Sequence, residues 1–410
     1  MSNFWQRTLD ATLARLIRQG CLTVEWPDGG KSTYNGSPRL EAHMRLTDPV
    51  IVRRLCLQPE LSLGEGYTEG LIETDDLFAL QCLLFINYDI TLLPRWVQAM
   101  TKGQMALKSV IQKNTPHSSR RNAAHSYDLT DELFALFLDE DRQYTCAYFY
   151  KDGLTLEDAQ IAKRHHIARK LLIEPGMKVL DIGCGWGGMG RTLARDYGAD
   201  VTGITLSVNQ AAYANDRAKA EGLGDKARYE LLDYRKMRGN FDRIVTVGML
   251  EHVGVTQFRD YFGQVKKLLN TGGVALTHCV MRNTPPALPS AWMLKYIFPG
   301  GYAPAVSEVL PVMEKEGLKI TDMEIWRGHY AKTIHEWRMR TEANAKRITQ
   351  MYDARFLRMW RYYLSGTEAV FYYGNQCNFQ LQMAHDMADV PATRDYISDP
   401  ANRQFIPLPY

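Results

Sequence analysis

Between Leu180 and Gly190 the chain reads LDIGCGWGGMG, an apolar run that meets an acid and then five glycines in eight residues. The residues leading into it, MKVLDIG, read as a buried strand. A glycine cluster directly after a strand is a turn whose backbone can take left-handed angles and approach a ligand closely. Downstream, ADVTGITL, FDRIVTVG and GGVALTHCV are further short β-branched runs, separated by helical stretches such as GRTLARDYG and NQAAYANDRAKAEG. This alternation predicts a doubly wound, Rossmann-like α/β domain with a mainly parallel sheet.

Gly183, Gly185 and Gly188 satisfy G-x-G-x-x-G, so a dinucleotide must be weighed. That fingerprint requires an acid about 20 residues on, at the end of the second strand, for the ribose hydroxyls. Here the second strand ends in ITLS, Gln210 follows, and the acid sits at Asp181, before the first glycine. The pattern favours S-adenosylmethionine, which has no pyrophosphate and needs the turn for backbone approach to its amino-acid and ribose parts.

A chain of 410 residues is long for one domain, so two are expected. With 45% hydrophobic and 23% charged residues it reads as an ordinary globular protein, and a net charge of +3 gives no argument for nucleic acid as a partner. Seven scattered cysteines without a C-x-x-C pair read as reduced thiols in a cytoplasmic protein, with neither a disulfide frame nor a metal site. The opening MSNFWQRTLDATLARL has no signal-peptide pattern, and the longest apolar run, 77–86, is about half a membrane span.

Residues 1–95 are expected to form a smaller N-terminal α+β, lipid-associated unit. In it Trp5, Leu9, Leu13, Leu16 and Ile17 share a helical face, a hairpin turns at Asp28-Gly29, and Asp48 caps a helix that begins at Pro49. Residues 96–124 read as a basic linker. From Arg95 to Arg121 there are six basic residues (Arg95, Lys102, Lys108, Lys113, Arg120, Arg121) and no acidic one, interleaved with Trp96, Val97, Met100, Met105, Leu107, Val110 and Ile111. This is either a solvated linker or a segment that meets an anionic membrane surface. Residues 125–395 are the expected methyltransferase domain and 396–410 a tail.

Several motifs occur in a recognisable order: YTCAYFY, LTLEDAQIAK, IEPGMKVLDIGCGWGG, VTGITLSVNQ, DRIVTVGMLEHVG, KYIFPGG and RFLRMWRYYL. Through them the chain, from about His125 to about Leu364, resembles the cyclopropane fatty acid synthases. These are S-adenosylmethionine-dependent enzymes that act on unsaturated acyl chains of membrane phospholipids. LSLGEGYTEGLIE (61–73) resembles the N-terminal unit of the bacterial phospholipid-acting members.

The resemblance implies methyl transfer to an alkene. The π bond attacks the sulfonium methyl, a carbocation forms on the acyl chain, and a proton leaves the new methyl group as the ring closes. Such chemistry requires a dry apolar channel, electron-rich groups near the cation and a positioned base. By the same resemblance Cys146, Glu251, His278, Tyr330 and the backbone at Val280 match residues that hold a bicarbonate ion as that base. Thiol, imidazole and phenol can donate to the anion, while the carboxyl orients it or accepts from its protonated oxygen. Tyr144, Gly183, Gly185, Thr205, Leu206, Gln210, Tyr234 and Val247 match positions lining the cofactor, with the Tyr234 ring able to stack on adenine. Asp181 is expected to shape the glycine turn by hydrogen bonds or to touch the ligand, His252 to support Glu251, and Cys184 to pack. Glu251 should follow the strand RIVTVGML, and His278 should end the strand VALTH.

A homodimer, and peripheral attachment to the inner face of a membrane that supplies the phospholipid acyl chains, are implied likewise. After Leu364 the chain departs from the best-known members. That leaves open ring closure against a hydride shift to a methyl- or methylene-branched chain. The intact Cys146, Glu251, His278 and Tyr330 argue against a third reading, a non-catalytic lipid-binding protein.

Overall fold

The structure, a computed structural model, describes residues 2–106, 129–399, 401 and 403. Lys108, Lys113, Arg120 and Arg121 of the basic segment lie outside the described residues. The chain divides into two compact units. One comprises Met1–Ile111, Ala287–Pro299 and Ile334–Asn375, the other Gln112–Pro286, Gly300–Thr333 and Gln376–Tyr410.

In the first unit β1 (Gln19–Glu25), β2 (Lys31–Asn35), β3 (Ser37–Leu46) and β4 (Ile72–Glu73) form a sheet in the order β2-β1-β3-β4. The hairpin turns where expected: the Trp26 N–H donates to Gly30 O at 2.8 Å, and the Asp28 carboxylate accepts from the Gly30 N–H at 2.9 Å. Leu9, Leu13, Leu22, Val24 and Met44 bury their side chains in one core. Asp48 caps the helix Pro49–Leu57 by accepting from the Val50 N–H. The apolar run 77–86 is a helix of 10 residues, about 15 Å long at the usual rise. Leu80 and Leu83 on it are buried, each contributing about 2 kcal/mol of apolar burial. It is a core helix.

The later parts of the chain complete this unit. The Trp292 indole lies on the helix Pro59–Glu69, where a Cβ on Gly64 would stand 2.4 Å from the ring. That close approach explains a glycine in LSLGEG. Arg358, on the helix Ala354–Tyr373, donates to Tyr67 O at 2.7 Å. Among the described residues no helix is long and apolar enough to cross a membrane.

The second unit is built on β5 (Lys178–Ile182), β6 (Asp200–Thr205), β7 (Ala227–Leu231), β8 (Phe241–Val247), β9 (Leu269–Arg282), β10 (Lys319–Trp326) and β11 (Gln376–Ala384). Their order is β10-β11-β9-β8-β5-β6-β7. β5 to β9 run parallel, while β11 is antiparallel to both β9 and β10. Apolar clusters cover both faces, as the near-continuous apolar strands require. β5 lies between β6 and β8, so the winding reverses there, and the crevice at the carboxyl ends of β5 and β8 is where such folds bind ligands.

Residues 287–299 and 334–375, expected within the methyltransferase domain, belong to the first unit, and one strand end also differs from expectation. His278 does not end its strand, because β9 runs on to Arg282. β11 pairs with it from Ala384 opposite Val274 to Gln376 opposite Arg282, so the ladder carries β9 past the point where its β-branched pattern stops. β11 itself alternates: Phe379, Leu381 and Met383 enter an apolar cluster, while Asn378, Gln380 and Gln382 are buried polar residues of the opposite face.

Candidate active site

The glycine turn leaves β5 with Gly183 at φ +79° and Gly185 at φ +54°, the left-handed region that disfavours other residues. Its first N–H groups are fixed by the neighbouring strand: Gly183 and Cys184 both donate to Ile204 O, at 2.9 and 3.0 Å. Asp181 does not shape the turn as expected. Its carboxyl is 1% exposed, its Oδ2 has no hydrogen-bond partner, and burial pushes its pKa up to about 7. A buried, unpartnered carboxyl beside the turn suits a donor on a ligand. A Cβ on Gly185 would meet nothing within 4 Å, so the backbone there borders open space. Cys184 packs in the apolar core.

The other expected cofactor positions gather on the same edge. Because β5, β6 and β8 are parallel, Gly183, Thr205–Leu206 and Val247 all lie at carboxyl ends. The Thr205 hydroxyl donates to Gln210 Oε1 at 2.9 Å, and Ser207 caps the helix that carries Gln210. Tyr234 follows β7 and stands edge-on to Tyr261 at 5.7 Å. Tyr144 packs on Phe134 at 5.3 Å, and Phe134 on Trp186 of the glycine turn at 5.0 Å. This arrangement fits S-adenosylmethionine: an open glycine turn, an unpartnered acid and flanking aromatic rings.

A second group lies beyond the ends of β8 and β9. Glu251 occupies a single helical turn after β8, and its Oε1 accepts from the Val280 backbone N–H at 2.5 Å. Its Oε2 has no partner, and burial pushes the carboxyl up to about 7. The Tyr302 N–H holds the Glu251 carbonyl at 2.8 Å. His252 follows in the same turn and is exposed.

His278, two residues before Val280 on the same face of β9, is fully buried. Burial and the nearby Lys163 and Lys170 ammonium groups hold its pKa well below the usual value, so the imidazole is neutral. Asn378 and Gln380 face its two ring nitrogens from β11. Cys146 is buried, which pushes its thiol above the ordinary range. Its neighbour Ala147 donates to Thr333 Oγ1 at 3.0 Å, and the Phe149 N–H donates to His329 Nδ1 at 3.1 Å. These bonds tie the Cys146 segment to the first turn of the helix His329–Ala343, which carries Tyr330. Trp326 joins the set, edge-on to His278 at 5.0 Å and stacked on Tyr148 at 4.6 Å. Glu251 and Val280 are thus in direct contact, the Cys146 segment is held by Thr333 and His329, and rings run from His278 through Trp326 to Tyr148 and His329, the residue before Tyr330.

Several contributors were not anticipated. Asn378 and Gln380 fall in the segment that departs from the family pattern, and the polar–apolar alternation of NFQLQM was the signal for a strand. Lys163, within LTLEDAQIAK, donates to Thr145 Oγ1 at 2.7 Å, and burial pushes its pKa down to about 7. Its charge reaches both Cys146 and His278.

Residues 113–381 match the family model for mycolic acid cyclopropane synthetase. Over 351 residues the chain is 37% identical to a probable fatty acid methyltransferase of Pseudomonas putida, covering 84% of this chain and 86% of that protein. Over 342 residues it is 35% identical to the cyclopropane-fatty-acyl-phospholipid synthase of Escherichia coli (strain K12), covering 82% and 86%. Among solved structures it resembles the cyclopropane synthase MmaA2 from Mycobacterium tuberculosis, with a TM-score of 0.62 and 32% identity over 66% of this chain and 99% of that one. The mycolic acid cyclopropane synthase CmaA1 complexed with SAH and CTAB gives a TM-score of 0.61 at 31% identity, over 64% of this chain and 97% of that one.

Proposed function

The chain belongs to the mycolic acid cyclopropane synthetase family, S-adenosylmethionine-dependent enzymes of lipid modification, and from that premise we propose that it is a cyclopropane-fatty-acyl-phospholipid synthase. When bound, S-adenosylmethionine supplies an electrophilic methyl group on a sulfonium centre. The residues of this chain then have separable tasks. Gly183 and Gly185 admit the cofactor backbone-close, Asp181 accepts from one of its donors, and Gln210, Tyr234 and Tyr144 flank it. Glu251, His278, Cys146, Tyr330 and the Val280 N–H would hold a bicarbonate ion, which would supply a base within an apolar site. The buried Trp326 ring, with the half-buried Tyr148 ring stacked on it, helps to keep water away from this region.

The observation that carries this reading is the half-made contact of Glu251. One oxygen is held by the Val280 N–H, the other is open, and the carboxyl is tuned to about 7, so it can be present as the acid or as the carboxylate near neutrality. A group of that kind beside a neutral histidine suits binding of an anion that itself carries a proton.

A phospholipid acyl chain must come from a bilayer. The described part of the basic segment, the helix Arg95–Ala106, exposes Arg95, Trp96, Met100 and Lys102. The Trp96 indole N–H donates to Cys56 O at 3.2 Å, fixing that helix beside the helix Pro49–Leu57, whose Val50, Arg53 and Leu57 are also exposed. Apolar side chains interleaved with bases, with no acid on either helix, support attachment to an anionic bilayer. The Pseudomonas putida relative, a probable fatty acid methyltransferase, favours a second reading in which the product is a branched acyl chain.

The test is turnover of unsaturated phospholipid vesicles by purified protein in decarbonated buffer and with added bicarbonate. Lipid gaining one carbon, faster with bicarbonate, is the expected result. A rate indifferent to bicarbonate and to Glu251→Ala would remove the proposed base.

A further inference from the structure

His278 is enclosed by two amides. Asn378 Nδ2 stands 2.9 Å from His278 Nε2, and Gln380 Nε2 stands 3.2 Å from His278 Nδ1. All three side chains are at most 2% exposed. Gln380 lies directly opposite His278 in the β9–β11 ladder, and Asn378 opposite Val280, so both amides share the face that carries His278 and the Val280 N–H. Asn378 Oδ1 and Gln380 Oε1 have no hydrogen-bond partner.

A neutral imidazole has one N–H and one lone pair. This ring is held neutral by burial and by the positive charges of Lys163 and Lys170, which outweigh the opposing pull of Glu324. Two amide NH2 groups cannot both donate to it. One amide must therefore turn its oxygen to the ring, and which one does so decides where the ring proton sits. The Asn378 side neighbours the Val280 N–H and hence the Glu251 carboxylate, whereas the Gln380 side lies further back along the strand. An anion held beside Val280 calls for a donor from His278 on that side, which is Nε2–H.

We propose that Gln380 is a positioning residue: its amide donates to His278 Nδ1 and so selects the Nε2–H tautomer, which makes His278 a hydrogen-bond donor toward the Glu251–Val280 pair. Asn378 covers Nε2–H with its carbonyl oxygen and gives way when an anion arrives. Both free amide oxygens then have an explanation. Asn378 Oδ1 turns to the ring, and Gln380 Oε1 remains as the open acceptor behind it. The proposal rests on the reading that His278 faces the reacting site, but its first test does not.

That test is nitrogen NMR of the full-length protein with 15N-labelled histidine, in which pyrrole-type and pyridine-type ring nitrogens resonate far apart. His278 is assigned from its loss in His278→Gln, or, should that variant not fold, from its contacts with the Gln380 side-chain amide protons. The expected result is a neutral ring protonated on Nε2 across about pH 5 to 8, the span in which an ordinary histidine changes charge. A ring protonated on Nδ1, or an imidazolium, overturns the proposal. The second test is Gln380→Glu, with Gln380→Met as a companion that leaves no acceptor at Nδ1. The carboxylate should draw the ring proton to Nδ1 and cut turnover on the order of tenfold to a hundredfold, the range known for outer hydrogen bonds to metal-bound histidines, with S-adenosylmethionine affinity unchanged. Met, which has no donor for Nδ1, should leave the ring without its selector, so that both tautomers are populated and turnover falls less than with Glu. An unmoved tautomer in Gln380→Glu refutes the proposal. A moved tautomer with unaltered turnover leaves the clamp standing and instead contradicts the placement of His278 at the reacting site.

Discussion

Glu251 and Val280, 29 residues apart, are joined by a hydrogen bond from the Val280 N–H to Glu251 Oε1, while the second carboxylate oxygen is left open. A carboxyl satisfied on one side only is costly to bury as an anion, and this is why its pKa rises to about 7. Folding therefore takes up a proton here between pH 4.5, the ordinary value, and about 7. Stability from this group is complete below the unfolded pKa and is lost as pH rises through the folded one. Glu251→Gln removes that loss. The variant should be more stable than the parent at pH 8, by on the order of 3 kcal/mol, with the difference vanishing near pH 4. His278, whose pKa is lowered, acts in the opposite direction over part of this range, so the difference in melting temperature between the two proteins is the readout. Turnover should fall strongly in the same variant. A residue kept at the expense of stability is expected at a functional site.

Gly185→Ala should separate fold from cofactor binding. The new Cβ meets no protein atom within 4 Å, so only the left-handed φ of +54° opposes it, at about 1–2 kcal/mol. Calorimetric titration should show S-adenosylmethionine affinity reduced at least about tenfold, the effect of roughly 1.4 kcal/mol, while circular dichroism remains that of the parent. Unchanged affinity would move the cofactor away from this turn.

Asp181→Asn tests the same crevice electrostatically. The carboxyl has no partner, so the amide should fold as well as the acid, and at pH 8 better, because the acid's raised pKa makes its ionised form the disfavoured one. Cofactor binding should weaken, most at pH above about 7 where the parent is ionised. Equal affinity across that range would show that Asp181 does not touch the ligand.

Vesicle sedimentation tests the exposed helix. Replacing Trp96 by Ala and Lys102 by Gln should lower binding to anionic vesicles by about tenfold, since each base near such a surface contributes on the order of 1 kcal/mol. Binding should also fall as salt rises. Retained binding would assign bilayer attachment to other residues.

Much of this was legible before the fold was known, and the reasons are local. LDIGCG declares its turn because few sequences other than a strand followed by glycines have that pattern. Asp48-Pro49 likewise marks a helix start through groups within three residues of each other. What could not be read depends on distant pairing. VALTH places His278 at a strand end, and only the partner strand β11, about a hundred residues later, carries β9 on to Arg282. Asn378 and Gln380 fall in the stretch after Leu364 that departs from the family pattern, and their place beside His278 depends on the same distant pairing. The return of residues 334–375 to the first unit has no local signal either, since their helices carry apolar faces that could cover many surfaces.

The proposed addition of a methylene bridge from S-adenosylmethionine across an acyl double bond is tested most directly by the structure of the product. Purified protein, S-adenosylmethionine with a deuterated methyl group and monounsaturated phospholipid vesicles should yield an acyl chain that has gained one carbon bearing two of the three deuterons. Proton NMR of the same reaction with unlabelled cofactor should show the high-field methylene protons of a cyclopropane and loss of the olefinic signal. A vinylidene or branched-methyl signal in place of the ring, or lipid that gains no carbon, would contradict the account.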